Sequence, residues 1–351
     1  MEPLVYLIGQ ANAMLSRYDG LLENLINPQV LLSPLVMKEA ELSSRIEGTM
    51  ATANEAYQKE AGREFTAEKE ADIQEVLNYR STLQLATHLI GSRPINLYLI
   101  RQMHSTLMQG VRGAQLQVGG FRVTQNWISP TGCSIDEATY VPPSPEQLPG
   151  HLEQFEAVLT SAEREPDPIV RAALLHAQFE LIHPFDDGNG RIGRLLIPLY
   201  LSKIGCLVKP SFYISGYFET HRAEYLQRLG AISSHGDWMG WIEFFLKAVV
   251  EQAQQNIGLV RSIGQLYEQK KNEFLTLLKT ELAVPLLDYL FKKPVFYAPD
   301  VHRTLGINRV RAAKYIGILR EAGIFQEIEP ATGRQGAFLA LDALFEITDQ
   351  Q

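Results

Sequence analysis

Twelve residues hold most of the chemistry this chain could perform: His183-Pro184-Phe185-Asp186-Asp187-Gly188-Asn189-Gly190-Arg191-Ile192-Gly193-Arg194. An imidazole titrates near ~6.5, so His183 suits the removal of a proton from a hydroxyl. If the Gly188-Asn189-Gly190 turn opens a helix, its unpaired amides and the positive end of the helix dipole converge on one spot that favours an anion, and the glycines let a phosphate come close. Arg191 and Arg194, three apart on one helical face, reach successive phosphates of a polyphosphate. A carboxylate at Asp187 suits Mg²⁺, which takes one or two carboxylates together with phosphate oxygens and water. A hydroxyl nucleophile, an anion cradle and a divalent cation describe nucleotidyl or phosphoryl transfer, and the spacing alone leaves open which phosphorus is attacked.

These groups need rigid supports. An Ala- and Leu-rich helical pattern over 169–182 runs into His183 and predicts a helix buried on most sides, and an apolar helix over 195–204 leads away to Gly205. His176 and Glu180 lie one turn apart on the first of these and could form a two-ligand metal pair, but the His-Glu-x-x-His pattern and the cysteines of a zinc site are missing, which favours packing. Upstream, helical spacing covers 5–26 and is closed by Asn27-Pro28. A second helix over 34–48 starts at an N-cap Ser33 with Pro34 and ends at Gly48. Ser43 and Glu47 share a face near its C-terminus, where a carboxylate opposes the dipole at a cost of about a few tenths of a kcal/mol. Read from this segment alone, Glu47 is an exposed surface residue.

A polar interval over 52–68 leads to a long helix through Ile73 and Ile90, and another follows from Leu97 to Met108 with His104 as a core or boundary residue. Glycines and β-prone residues then replace the helical period at 119–128, and Ser129-Pro130-Thr131-Gly132 separates them from 138–143. This predicts a short hairpin or flap, with a connecting loop as the alternative. A hairpin edge left free can accept an extended peptide as an added strand. Helices follow over 145–162, 217–229 and 238–278. The last segment, 282–351, reads as three helices (284–291, 299–305, 308–322) and two strand-like pieces (324–328, 337–340), the pattern of a winged helix-turn-helix. Arg303, Arg309, Arg311, Lys314 and Arg320 fall within 301–320 without an acidic residue, which fits DNA contact or protein docking.

At 351 residues and 46% hydrophobic, the chain can bury a core larger than one ordinary domain. A net charge of -8 argues against non-specific binding of the whole surface to nucleic acid or anionic membrane. Two cysteines, Cys133 and Cys206, no basic leader and no long apolar run predict a cytoplasmic protein without a membrane span.

The twelve-residue stretch resembles the signature of the Fic family, His-x-Phe-x-[Asp/Glu]-Gly-Asn-Gly-Arg-x-x-Arg, at every fixed position. The resemblance extends over roughly 30–250, through Gly119 to Arg122, Val141-Pro142-Pro143 and Trp241 to Leu246. It implies an all-helical core with a β-hairpin flap and transfer of AMP from ATP to a hydroxyl side chain of a protein. By that resemblance His183 is the general base, Asp187 the Mg²⁺ ligand, and Gly188, Asn189 and Gly190 the phosphate cradle. Arg191 and Arg194 hold the outer phosphates, Phe185 anchors the loop in the core, and Tyr225 lies near the adenine. Ser43-Ser44-Arg45-Ile46-Glu47-Gly48 is similar to the family's inhibitory motif, [Ser/Thr]-x-x-x-Glu-[Gly/Asn], whose glutamate pairs with the second motif arginine, here Arg194. The expected fold is mainly α: an N-terminal helical region over 1–110 with the inhibitory helix at 34–48, a core over 111–280 with the flap at 119–143, and a winged-helix-like segment over 281–351. Expected partners are a protein substrate docked along the flap, with self-modification, a homodimer and DNA left open. Removal of AMP from a modified protein is the alternative reaction.

Overall fold

One long helix organises the chain. In the computed structural model, which describes residues 2–111, 117–128, 134–161, 167–329 and 337–349, α12 (Trp238–Leu278) runs for 41 residues and buries Trp241, Phe244, Phe245, Val249, Val260, Ile263 and Phe274. Around it pack α1 (Glu2–Glu23), α8 (Pro168–Ile182), α11 (Arg222–His235), α13 (Ala283–Lys292) and α16 (Asp342–Thr348). The indole of Trp241 donates to the Ala173 carbonyl at 2.9 Å and ties α12 to α8. The remaining helices are α2 (Pro28–Leu31), α3 (Ser33–Ile46), α4 (Ala53–Glu60), α5 (Ala67–Ile90), α6 (Leu97–Leu107), α7 (Leu148–Thr160), α9 (Asn189–Lys203), α10 (Ser215–Thr220), α14 (Val301–Leu305) and α15 (Arg309–Glu321). The molecule is mainly α, as the periodicities predict. Among the described residues, no helix is long and apolar enough to cross a membrane.

Several boundaries differ from expectation for physical reasons. The polar interval 52–68 contains α4, which Thr52 and Glu55 start with a reciprocal capping box. Ser33 is the first residue of α3 rather than its cap, because α2 runs almost directly into it: the Leu32 amide donates to Pro28 and the Val36 amide to Leu32. The helix expected over 217–229 is two, α10 and α11, separated at His221.

The expected hairpin is reduced, among the described residues, to one bridge between Ile128 and Tyr140. Its turn at 129–132, and Cys133, lie outside the described residues. The segment's polar groups bond to the motif loop and to the last turn of α8. Arg122 donates from its backbone to the Pro184 carbonyl at 2.9 Å and from Nε to the His183 carbonyl at 2.8 Å, and the Tyr140 hydroxyl donates to the Leu181 carbonyl at 2.7 Å.

After α13, β1 (Val295–Tyr297), β2 (Gln326–Glu329) and β3 (Phe338–Ala340) form an antiparallel sheet in the order β1-β3-β2, with Val295 opposite Ala340 and Gln326 also opposite Ala340. The three predicted helices and both strand-like pieces are present; β1 and α16 are additional. α16 packs on α12 and α3.

Candidate active site

Helix α8 ends at His183, whose backbone is left-handed (φ 49°, ψ 61°). For a non-glycine residue this costs about 1–2 kcal/mol, so the turn persists only because its surroundings fix it. Arg122, only 2% exposed, supplies part of that fixation by gripping the carbonyls of Ile182 and His183. Inside the loop, Asn189 makes a two-way clasp: its Oδ1 accepts from the Phe185 amide at 2.9 Å and its Nδ2 donates to the Phe185 carbonyl at 2.8 Å. Phe185 is fully buried, so its expected place in the core is correct.

A second histidine holds the loop from below. His104 stacks on Phe185 with ring centroids 3.8 Å apart, accepts from the Gly119 amide through Nδ1, and donates through Nε2 to the Asp187 carbonyl at 3.1 Å. Burial lowers its pKa to about 4, which keeps it neutral, and the Gly119 amide on Nδ1 sets the tautomer. The sequence placed it in the core but gave no sign that it bridges the flap segment to the motif.

The turn Gly188-Asn189-Gly190 does open α9. Gly188 has φ 79°, and a Cβ there would meet Met108 Sδ at 3.1 Å. The N-cap residue, Gly188, has no side chain to cap the first turn of α9 and no acidic residue lies within that turn, so its amides and dipole present an anion-binding spot. Asp187, with a side chain 49% exposed, stands at the mouth and is 3.4 Å from Arg191. Arg191 is 3% exposed and also pairs with Glu75 at 3.0 Å. His183 directs Nδ1 to the Glu180 carbonyl at 3.2 Å, which leaves Nε2 as its basic nitrogen. Burial outweighs the nearby carboxylates and lowers its pKa to about 4, so the ring is neutral at pH 7.

Arg194 is 1% exposed and held by α3. Its Nε donates to Ser43 Oγ at 2.8 Å, and one terminal nitrogen donates to the Ser43 carbonyl at 2.8 Å and to Glu47 Oε1 at 2.6 Å. Partial burial pushes the Glu47 carboxyl up, but Arg194 and Arg191 outweigh this and hold it below the usual glutamate range. The same oxygen lies 2.1 Å from where a Cβ on Gly190 would sit, so the carboxylate rests on the first turn of α9. Arg222 Nε caps the Ile46 carbonyl at 2.9 Å and supplies a second cation at this helix end.

Behind Arg194, Glu39 is buried, accepts from the Tyr79 and Ser215 hydroxyls at 2.9 and 2.6 Å, and is raised by burial to about 7. Burial likewise raises Glu180 to about 8. His176 Nε2 bonds to the Tyr225 hydroxyl at 2.9 Å. Tyr225 is 2% exposed in an aromatic cluster with Phe218 and Trp241.

Residues 5–88 match the family model of the Fic/DOC family N-terminal region, and residues 94–201 that of the Fic/DOC family. A protein adenylyltransferase Fic of Nematostella vectensis is 35% identical over 130 residues, 37% of this chain and 27% of that protein. Protein adenylyltransferase fic-1 of Caenorhabditis elegans is 30% identical over 151 residues, 42% of this chain and 26% of that one. The matches thus span about a quarter of these relatives' length. A crystal structure of a Fic family protein from Desulfovibrio desulfuricans G20 shares the fold, with a TM-score of 0.63 at 18% identity over 97% of this chain and 96% of the other. Sequence model and fold agree, and the chain belongs to the Fic/DOC family.

Proposed function

We propose that this protein is a protein adenylyltransferase that moves AMP from ATP to a hydroxyl side chain of a protein and is arrested by its own Glu47. The observation that carries the reading is the shared position of Glu47 on Arg194 and over Gly190, at the anion-binding end of α9. A bound ATP would place its outer phosphates against the amides of α9, Arg191 and Arg194. His183 Nε2 accepts the proton of the incoming hydroxyl, the new bond forms between that oxygen and the α-phosphorus, and the bond to the β-phosphate oxygen breaks, releasing pyrophosphate. Asp187 is the half-exposed carboxylate fitted to hold Mg²⁺ together with phosphate oxygens; the ion would neutralise charge on the leaving phosphates. Glu47 occupies a position that an outer phosphate needs, and its negative charge repels one. Tyr225, which the resemblance sets near the adenine, is 2% exposed and bonded to His176 Nε2 at 2.9 Å, so it would support the nucleotide site from within the aromatic cluster of Phe218 and Trp241.

The protein substrate docks along the flap, where Val123, Trp127, Ile128 and Val141 are 68%, 42%, 37% and 45% exposed around the Ile128–Tyr140 bridge. The chain itself and a second copy are further candidate acceptors, and the protein is cytoplasmic. The three-part division at 110 and 280 stands with this reading, with the last part a winged helix-turn-helix. Its helix α15 exposes Arg309, Val310, Arg311 and Lys314, and this face favours DNA as a second partner.

ATP labelled at either the α- or the γ-phosphate tests the reaction. Glu47→Gly should raise transfer of the α label to protein, and adding His183→Ala should abolish it. Transfer of the γ label alone would overturn the reading, and release of AMP from a modified protein only when Glu47 is intact would favour hydrolytic removal of AMP instead.

A further inference from the structure

A cavity of about 650 Å³ lies away from the motif, between the start of α3, α5, the segment 209–213 and the end of α13. Its wall includes apolar Leu32, Val36 and Leu83. Lys209, Lys292 and Lys293 also line it, and none of the three ammonium groups has a hydrogen-bond or ion-pair partner among the described residues. The other charged lining groups are Arg80 and Glu60, which pair with each other, and His88 is the remaining titratable base. In a chain with net charge -8, three unpaired cations around an apolar floor are a local reversal of sign. That combination fits an anionic head on an apolar body.

Ser33 and Val36 in this wall belong to α3, which is capped at its far end by Glu47, and Leu32 is the junction residue at its start. Fourteen helical residues span about 20 Å. A stiff rod of that length, gripped at its start, keeps its other end in register with Arg194. We propose that this cavity is an effector site for a small apolar anion, whose binding holds α3 in the position that seats Glu47 on Arg194. A ligand that binds one arrangement of α3 better than another shifts the protein toward it, and the coupling is reciprocal. The binding half of this proposal is independent of the adenylyltransferase reading; the regulatory half rests on Glu47 being the arrest.

The probe is 8-anilinonaphthalene-1-sulfonate, titrated by fluorescence and calorimetry against the full chain. Saturable one-site binding is expected. Lys209→Glu with Lys293→Glu should weaken it about tenfold or more, because two attractive charges become repulsive, and Gln84→Trp, which fills the cavity from its exposed side, should block it. Thermal unfolding of each variant confirms that it folds. Reciprocity requires severalfold weaker binding to Glu47→Gly, a readout that needs no activity. Affinity unchanged in the lysine and Gln84 variants would overturn the site. Affinity lost in those variants but equal in wild type and Glu47→Gly would overturn its coupling to α3, whatever reaction the motif performs.

Discussion

Arg194 shows how one buried cation can be both held and kept available. Burial alone would disfavour its charge, but Glu47 together with Tyr225, Glu180 and Tyr79 outweighs this, and Ser43 uses its hydroxyl and its carbonyl to fix the guanidinium plane. Ser43 therefore positions the arginine, whereas Glu47, in the reading proposed above, would compete with a phosphate for it. A hydrogen bond to a charged group contributes roughly 1.5–3 kcal/mol. Ser43→Ala should accordingly loosen the arrest without abolishing it, giving α-label transfer above wild type and below Glu47→Gly. Transfer at or below the wild-type rate would count against a positioning role. At this scale the catalytic stretch was legible because its chemistry is local in sequence. His104 and Arg122 were not, because their work is to bond backbone carbonyls 83 and 61 residues away, and no periodicity encodes such a pairing.

Among the elements, α3 matters most, and it is fastened along its length by charge. Glu41, 2% exposed, accepts from Arg45, from Lys38 at 3.4 Å and from the Ala53 amide at 3.0 Å, and Lys38 continues to Asp349 at 3.1 Å, just beyond α16. The last bond is half in water and contributes little. Glu41 is different, since its buried carboxylate ties Lys38, Arg45 and the Ala53 amide together; without its charge Lys38 keeps Asp349 and the partly exposed Arg45 keeps Glu219 at 3.9 Å, so the cost is that of weakened charge-assisted hydrogen bonds, roughly 1.5–3 kcal/mol. Glu41→Gln should lower the thermal midpoint and raise α-label transfer together. A lower midpoint with unchanged transfer would mean that the mooring of α3 has no bearing on Glu47. The sequence showed α3 as a capped, periodic helix, and its closing glycine, Gly48, has the expected positive φ of 99°. It hid α4 inside a polar run although Thr52-x-x-Glu55 is a capping signal, and it hid β1, because three residues are too short to display a period of two.

For the whole molecule, buried titratable groups set a pH window. His104, His176 and His183 have pKa values lowered by burial to about 4, 3 and 4 from an ordinary 6.5, so the unfolded chain takes up protons that the folded one refuses as pH falls below 6.5. Stability from these groups is complete above 6.5 and lost progressively toward pH 3. Glu39 and Glu180 work the other way. Burial raises them from 4.5 to about 7 and 8, so the folded chain keeps protons the unfolded one has lost, and that contribution disappears as pH rises through 7 and 8. The thermal midpoint should therefore peak between about pH 6 and 7 and fall on both sides. A midpoint climbing steadily to pH 9 would show that the two carboxyls are ionised in the folded state.

The contact between Glu47 and Arg194 also joins residues 147 positions apart within one chain. A competitor carried on the same folded scaffold acts at a fixed effective concentration, which for tethered groups reaches the millimolar range or beyond. Diluting the protein cannot weaken it. Under the proposed reading, added ATP would have to outcompete a carboxylate whose local abundance never changes, and the level of nucleotide alone would be a poor signal for release. Control must come from whatever alters the geometry of the tether, which makes the moorings of α3 the place where a cell could set the rate.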